Sequence, residues 1–227
     1  MRAPISIVIP TLNAAADLPA ALGALGDGLK AGLIKELIIT DGGSTDKTQQ
    51  IAEEAGAVWV TGAAGRGTQL AKGIEAARGE WLLIVHADTI LGENWSEAAL
   101  NHIANSPGKA GYFKLRFRAN GWMPRLVAHW ANLRSRWFRL PYGDQGLLLS
   151  RELYDAVGGF QKIPLMEDVA MARALRGRLI QLDAVAYTSA AKYQAQGWWR
   201  RGARNLWTLL RYFCGVRPDR LARDYRK

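Results

Sequence analysis

Through residue 90 the chain alternates short apolar runs with stretches of helical spacing: Ile5–Ile9 then Asp17–Leu29, Glu36–Thr40 then Asp46–Ala55, Ala57–Val60 then Thr68–Ala77, and finally Glu80–Val85. Runs that stay apolar at successive positions suit strands buried on both faces, as in a parallel sheet covered by helices. The pattern predicts a βαβαβαβ unit and hence an α/β fold with a mostly parallel, Rossmann-like sheet flanked by helices. Sheets of this kind hold ligands at the carboxyl ends of their strands. Four segments follow the runs there: Pro10-Thr11-Leu12-Asn13, Asp41-Gly42-Gly43-Ser44-Thr45-Asp46, Gly62-Ala63-Ala64-Gly65-Arg66-Gly67 and His86-Ala87-Asp88-Thr89. All are small, polar or acidic, and they are expected to converge on one edge.

Beyond Asp88 the rhythm changes. A helix is predicted over Asn94–Asn105, an alternating strand over Gly111–Phe117, an Arg/Trp-rich helix over Met123–Phe138 and an apolar run over Leu147–Leu149. A helix opened by Leu165-Met166-Glu167-Asp168 runs through Arg176, two short strands follow at Leu179–Leu182 and Val185–Thr188, and a basic aromatic helix covers Trp198–Phe213. No repeat, low-complexity segment or linker divides the chain. The expectation is one domain over 1–227, with a nucleotide-binding half (1–90), an acceptor half (91–190) and a basic helical tail (191–227).

Composition sharpens this picture. At 227 residues, 49% hydrophobic and 22% charged, the chain is globular in character and large enough for a substantial core. One cysteine, Cys214, leaves no intrachain disulfide, and no secretory signal pattern is present, so a cytoplasmic location is expected. The apolar runs fall far short of the ~20 residues of a spanning helix. Net charge is +10, divided as −4 over residues 1–113 and +14 over 114–227. Six of the nine tryptophans lie in that basic half, interleaved with arginine. An anionic partner is expected, with an anionic membrane surface, such as the inner face of the cell membrane, as one candidate.

Asp41 stands one residue past a buried strand, before two glycines and a Ser-Thr-Asp helix start. It can point into a nucleoside crevice or cap its own helix. His86 and Asp88 form a His-x-Asp pair that can hold a hard cation, Mn²⁺ or Mg²⁺, with water and phosphate filling the remaining positions, and either can equally be a structural strand-end residue. Glu167-Asp168 opens a helix, where acids are stabilised by the dipole or where Asp168 can serve as a general base. Gly65-Arg66-Gly67 lacks the Lys-Ser/Thr of a P-loop and the spacing of a dinucleotide fold, so Arg66 is read as a phosphate or carboxylate contact. Asp144 and Gln145, flanked by glycines, can bond an acceptor or sugar hydroxyl.

Taken in order, Ser6-Ile7-Val8-Ile9-Pro10-Thr11-Leu12-Asn13, Asp41 through Thr48, His86-Ala87-Asp88 and Glu167-Asp168 resemble the inverting family 2 glycosyltransferases of the GT-A fold, over roughly residues 4 to 190. The resemblance implies that Pro10, Thr11, Asn13 and Asp41 line the nucleoside pocket, with Asp41 on the base edge. It implies that Ala87 and Asp88 face the nucleotide sugar, that Asp88 is the metal-binding end of an Asp-x-Asp motif, and that Asp168 deprotonates the acceptor hydroxyl. His86 replaces the first Asp of that motif. The family's Gln-x-x-Arg-Trp motif has only an imperfect counterpart, Gln196 through Arg201, in which Trp199 and Arg200 can serve acceptor or diphosphate. The short length, His-Ala-Asp-Thr and Gly-Asp-Gln-Gly further resemble a bacterial subgroup, some of whose members are associated with arsenosugar biosynthesis.

The implied reaction is transfer of a hexose, with inversion, from a nucleotide diphosphate sugar, UDP-linked, to an acceptor hydroxyl. Glu167, Asp144 and Gln145 are expected on the acceptor side. A membrane or nucleic-acid binding module is the competing reading of the basic half, but it leaves the acidic crevice residues without a role, and nucleic acid is not expected as a partner. A sugar-phosphate nucleotidyltransferase would want a glycine-rich basic loop after the first strand, which Pro10-Thr11-Leu12-Asn13 does not supply.

Overall fold

The computed structural model describes residues 3–226. In chain order the elements are β1 (Ile5–Thr11), α1 (Leu18–Gly23), α2 (Gly26–Lys30), β2 (Ile34–Asp41), α3 (Thr48–Glu54), β3 (Val58–Thr61), α4 (Arg66–Ala76), β4 (Trp81–Ile84), β5 (Thr89–Leu91), α5 (Trp95–Asn105), β6 (Ala110–Phe117), α6 (Trp122–Phe138), β7 (Leu147–Ser150), α7 (Arg151–Ala156), α8 (Glu167–Ala174), β8 (Leu179–Thr188), α9 (Ala191–Gln196), α10 (Trp198–Phe213) and α11 (Pro218–Arg226). One eight-stranded sheet runs β3-β2-β1-β4-β7-β6-β8-β5. Its first four strands are mutually parallel; β7 is antiparallel to β4 and β6, β6 and β8 are parallel, and β5 is antiparallel to β8. The sheet is therefore parallel in the first half and mixed in the second, as the change of rhythm after Asp88 predicts.

The central strands are apolar on both faces because both faces are covered. Ile5, Ile7 and Ile9 of β1 pack with Leu18, Trp95 and Ala99, while Val8 between them joins Leu70 and Ile74 of α4 on the opposite face. Each such side chain, once fully buried, contributes roughly 1.5–3 kcal/mol. Gly73 lets α4 lie tight on the sheet: a Cβ there would come within 2.6 Å of Thr40 Cγ2 and 2.7 Å of Val8 Cγ1.

Two expectations are corrected. The single helix Asp17–Leu29 is two short helices, because Gly23, Gly26 and Gly28 weaken its continuity. The buried Trp95 indole occupies the space beside Gly28 and donates from Nε1 to Ala24 O at 2.9 Å, taking a carbonyl that a continuous helix would use. The two strands 179–182 and 185–188 are one strand, β8. Tyr112 pairs with Gln181 and Lys114 with Val185, so Asp183-Ala184 is a bulge and not a break. Short elements α7, α9 and β5, and the helix α11, lie outside the predicted set.

Among the described residues no helix is long and apolar enough to cross a membrane.

Two measurements test this packing. Gly73→Ala should lose about 1–3 kcal/mol by overpacking against β1 and β2. Gly23→Ala, with open space around it, should be neutral or gain up to about 1 kcal/mol; urea unfolding of both variants checks the contrast. Burial of His102 lowers its pKa from 6.5, partly opposed by its bond to Lys109 O at 3.0 Å. Below 6.5 the unfolded chain takes up a proton that the folded imidazole resists, so His102 contributes stability that is lost as pH falls through and below that value. Urea unfolding between about pH 7.5 and 5.5 should show a steeper acid loss in the wild type than in His102→Gln.

Candidate active site at the carboxyl edge of the sheet

The crevice opens where β1 and β4 part. Their ladder runs from Ile5↔Trp81 to Val8↔Ile84 and ends there, whereas β1 and β2 stay paired to Thr11↔Asp41. Pro10, which has no N–H to donate, lies two residues past the end of the β4 ladder. The loops after β1 and β2 are then stitched together. Asn13, in left-handed backbone at φ 51°, accepts from Thr45 N at 2.9 Å, and its own N–H donates to Ser44 Oγ at 2.8 Å. Ala15 N donates to Asp46 Oδ2 at 3.0 Å.

Asp41 works within this wall. Its Oδ1 accepts from Thr11 Oγ1 at 2.9 Å and Ser44 Oγ at 2.5 Å, and its Oδ2 accepts from Gly43 N at 2.8 Å and Ser44 N at 2.6 Å. Burial works against the charge, but these donors outweigh it and hold the carboxyl below its ordinary range. With 3% exposure and four donors around its carboxylate, Asp41 shapes the loop on this wall of the crevice.

Gln69 is a site-shaping residue that the sequence reading missed. Buried on α4, it donates from Nε2 to Thr11 O at 2.7 Å and to Thr40 O at 2.8 Å, and accepts from Gly65 N at 3.2 Å. One amide thus ties the ends of β1 and β2 to the loop before α4. The signal was a polar residue among Leu70, Ala71 and Ile74 on the buried face.

On the other side of the crevice, His86 lies against Gly143, where a Cβ would overlap the imidazole. Gly143 N donates to Asp168 Oδ2 at 2.9 Å, which joins the loop after β4, the turn before β7 and the start of α8. Burial and the nearby Arg66 push the His86 pKa down, outweighing Asp168, so its imidazole is neutral. Asp88 is anchored through its backbone: its carbonyl accepts from Ser189 N at 3.2 Å and from Arg118 Nη2 at 3.3 Å. Among the described residues no hydrogen bond or ion pair engages its carboxylate.

Asp144, half-buried in the turn 143–145, has a buried Oδ1 with no hydrogen-bond partner. Burial pushes its pKa up to about 6; Arg134 pulls it down, and Asp168 and Asp88 push it further up. Asp144 therefore senses both Asp88 and Asp168 across the crevice. Gln145 next to it is corrected to a structural role. It is fully buried, accepts from Ser135 Oγ at 2.5 Å and Tyr142 N at 3.3 Å, and donates to Phe113 O at 3.1 Å, which leaves its amide closed to an acceptor.

Glu167 is fully buried beside Asp168, and Arg66 Nε lies 3.1 Å from its Oε1, an ion pair at close distance without hydrogen-bond alignment. Burial pushes the Glu167 pKa up, Arg66 pulls it down, and Asp168 pushes it up again. The N-termini of α4 and α8 thereby meet, and Gly67 makes this possible: a Cβ there would run into the carbonyl of Gln161. Met166, just before this acidic pair, adopts left-handed backbone at φ 69°. It is packed with Leu165, Val169, Leu209, Leu221 and Ala222, so α10 and α11 hold the turn closed.

The C-terminal helices place Trp199 and Arg200 on their outer side. Both are exposed, Trp199 at 69%, and the inward residues of that turn are Trp198 and Arg201. Trp198 stacks on Tyr193 and meets Phe117 edge-on. Arg201 Nη2 donates to Tyr225 Oη at 2.5 Å, which donates to Asn205 Oδ1 at 2.8 Å, while Asn205 Nδ2 donates to Tyr193 Oη at 3.0 Å. Tyr225 sits in the electrostatic field of Arg66 and Asp168, placing α11 against the same edge.

Comparison with known proteins agrees with this architecture. The model of glycosyl transferase family 2 matches residues 6–161, ending shortly before Glu167-Asp168. A PGL/p-HBAD biosynthesis glycosyltransferase of Mycobacterium tuberculosis is 39% identical over 101 residues, 41% of this chain and 39% of that protein, and its Mycobacterium bovis counterpart matches equally. The match thus spans about two fifths of each relative's length. Glucosyl-3-phosphoglycerate synthase from Mycobacterium tuberculosis, solved with Mn²⁺, UDP and glucosyl-3-phosphoglycerate, shares the fold at TM-score 0.60 and 21% identity, over 94% of this chain and 80% of that one. S. aureus TarS 1–349, solved with UDP, does so at TM-score 0.59 and 17% identity, over 82% and 60%. With the family pattern running from β1 through α7 on a GT-A sheet whose crevice carries the acids, the chain belongs to glycosyl transferase family 2.

Proposed function

We propose that this protein is an inverting glycosyltransferase that moves a sugar from a nucleotide diphosphate sugar, UDP-linked, to an acceptor hydroxyl. The observation that carries the reading is the position of Asp168. It opens α8 on the rim of the crevice, with Oδ2 oriented by Gly143 N at 2.9 Å and Oδ1 by Val169 N at 2.7 Å. UDP in the structures that share the fold supports the choice of nucleotide.

In this reading the acceptor hydroxyl loses its proton to Asp168 as its oxygen bonds to the anomeric carbon. The bond from that carbon to the diphosphate oxygen breaks on the opposite side, the electron pair leaves with the nucleotide diphosphate, and configuration inverts. Arg66, paired with Glu167 through Nε yet with 41% of its side chain exposed, turns its remaining donors toward the leaving diphosphate. Pro10, Thr11, Asn13 and Ala87 border the nucleoside side of the crevice, with Asp41 holding the wall in shape.

The donor set fits a divalent cation as a partial site. Asp88 has an unengaged carboxylate, the neutral His86 has an available lone pair, and the orphaned Oδ1 of Asp144 lies in the same acidic field. Among the described residues no group of three or more ligands is assembled, which suits an ion completed by water and phosphate oxygens. Mn²⁺ and Mg²⁺ in structures sharing the fold support this choice. When bound, such an ion supplies positive charge to the diphosphate. The subgroup associated with arsenosugars is a resemblance carried by chain length and two short segments.

Asp168→Asn should lower turnover by about 10² to 10⁴ while UDP affinity stays within a few-fold. Turnover of a donor hydrolysis or transfer assay together with UDP calorimetry checks this; equal losses in both would reassign Asp168 to the donor pocket. Titration of UDP with and without Mn²⁺ should show binding to the wild type that the metal strengthens, and Asp88→Asn should abolish that strengthening. Metal-independent UDP binding that is identical in both proteins would remove the cation from Asp88.

A further inference from the structure

An amphipathic helix on a globular protein normally turns its apolar stripe inward. Helix α10 does the reverse. Trp199, Leu206, Trp207, Leu210 and Phe213 are 45–69% exposed, and at 100° per residue all five fall on one outer face. The residues turned toward the protein are largely polar: Arg201, Arg204, Asn205, Thr208 and Tyr212 are buried or half-buried, and Arg201 and Asn205 belong to the hydrogen-bonded network with Tyr225 and Tyr193. The outward apolar face is thus imposed by a hydrogen-bonded polar face on the inside.

Helix α6 has a matching stripe. Trp122, Leu126, Trp130 and Trp137 are 44–69% exposed and share one side, opposite the buried Pro124, Ala128, Ala131 and Ser135. The two helices touch each other. Of the fourteen exposed large apolar side chains among the described residues, ten lie on α6 and α10, so the exposure is concentrated and not scattered. Cations border it: Arg125 and Arg136 on α6, Arg200 on α10, and Arg217, Arg220 and Arg223 around a cleft at the turn into α11.

We propose that the outer faces of α6 and α10 form a docking surface for an anionic lipid bilayer, with the tryptophans seated at the headgroup level and the arginines on the lipid phosphates. Tryptophan-rich apolar faces rimmed by arginine match the layered chemistry of that interface, apolar below and anionic above. A second copy of this chain fits less well, since it would bring two arginine-rimmed faces of a +14 half together. Docking there sets the bilayer beside helices that pack on the turn carrying Asp168. The proposal goes beyond the transferase reading and stands whether or not UDP binds.

Co-sedimentation with unilamellar vesicles of phosphatidylcholine alone, and with about a third phosphatidylglycerol, tests it at low and high salt. The expected result is binding at least roughly tenfold tighter to the anionic vesicles, weakened by salt, and reduced at least roughly tenfold in the double variant Trp130→Ser, Trp207→Ser. Circular dichroism and UDP calorimetry on that variant report that the fold and donor site persist, separating failure of this proposal from failure of the transferase reading. Absence of vesicle binding at low salt overturns the proposal, as does binding unchanged in the double variant. Light scattering that shows a dimer dissociated by the same two substitutions overturns it in favour of a second copy.

Discussion

The arrangement of the site depends on a carboxylate that could not stay in the interior alone. Glu167 is fully buried, and an isolated charge there would be expensive enough to force protonation or rearrangement. Arg66 at 3.1 Å offsets part of that cost, and burial still leaves the Glu167 pKa raised, to about 7. Because Arg66 begins α4 and Glu167 begins α8, that pairing draws together two helices from opposite halves of the sheet. Gly67 permits the approach, and Asp168 is carried to the rim as the neighbour of the anchored residue.

A second consequence concerns the turn before α8. Met166 in left-handed backbone is an unfavourable conformation for a non-glycine residue, costing on the order of 1–2 kcal/mol. Packing with Leu165, Val169, Leu209 and Leu221 offsets that strain. The C-terminal helices therefore belong to the site's scaffold: they stabilise the backbone that aims Asp168, and their polar inner face meets the same acidic edge through Tyr225. A consequence of using the polar face for this contact is that the apolar face of α10 is left outside.

Much of the first half of the chain was legible in sequence. Uninterrupted apolar runs such as Ile5–Ile9 correspond to strands covered on both faces, and Pro10, Asn13, Asp41 and Asp88 fall on the strand ends where a parallel sheet must leave polar residues. Even there the donors around Asp41 were not legible, since their number depends on loops brought together from β1 and β2. Gln145 misled for a related reason: a polar residue in a glycine-flanked loop looks the same in sequence whether it faces a ligand, the core or water.

By itself the sequence determined the alternation of strands and helices through the first half and its parallel pairing, the placement of acidic residues at strand and helix ends, and the family. These follow from local periodicity and from short-range rules of turns and caps. The tertiary structure alone decided that Glu167 is paired with Arg66, that Gln69 and Gly143 shape the crevice, that Arg201 and not Arg200 turns inward, and that α10 presents its apolar face to the outside. Periodicity records that a helix has two unlike faces; which of them is buried depends on partners outside the helix, and for α10 those partners are the hydroxyls of Tyr193 and Tyr225, which meet Arg201 and Asn205.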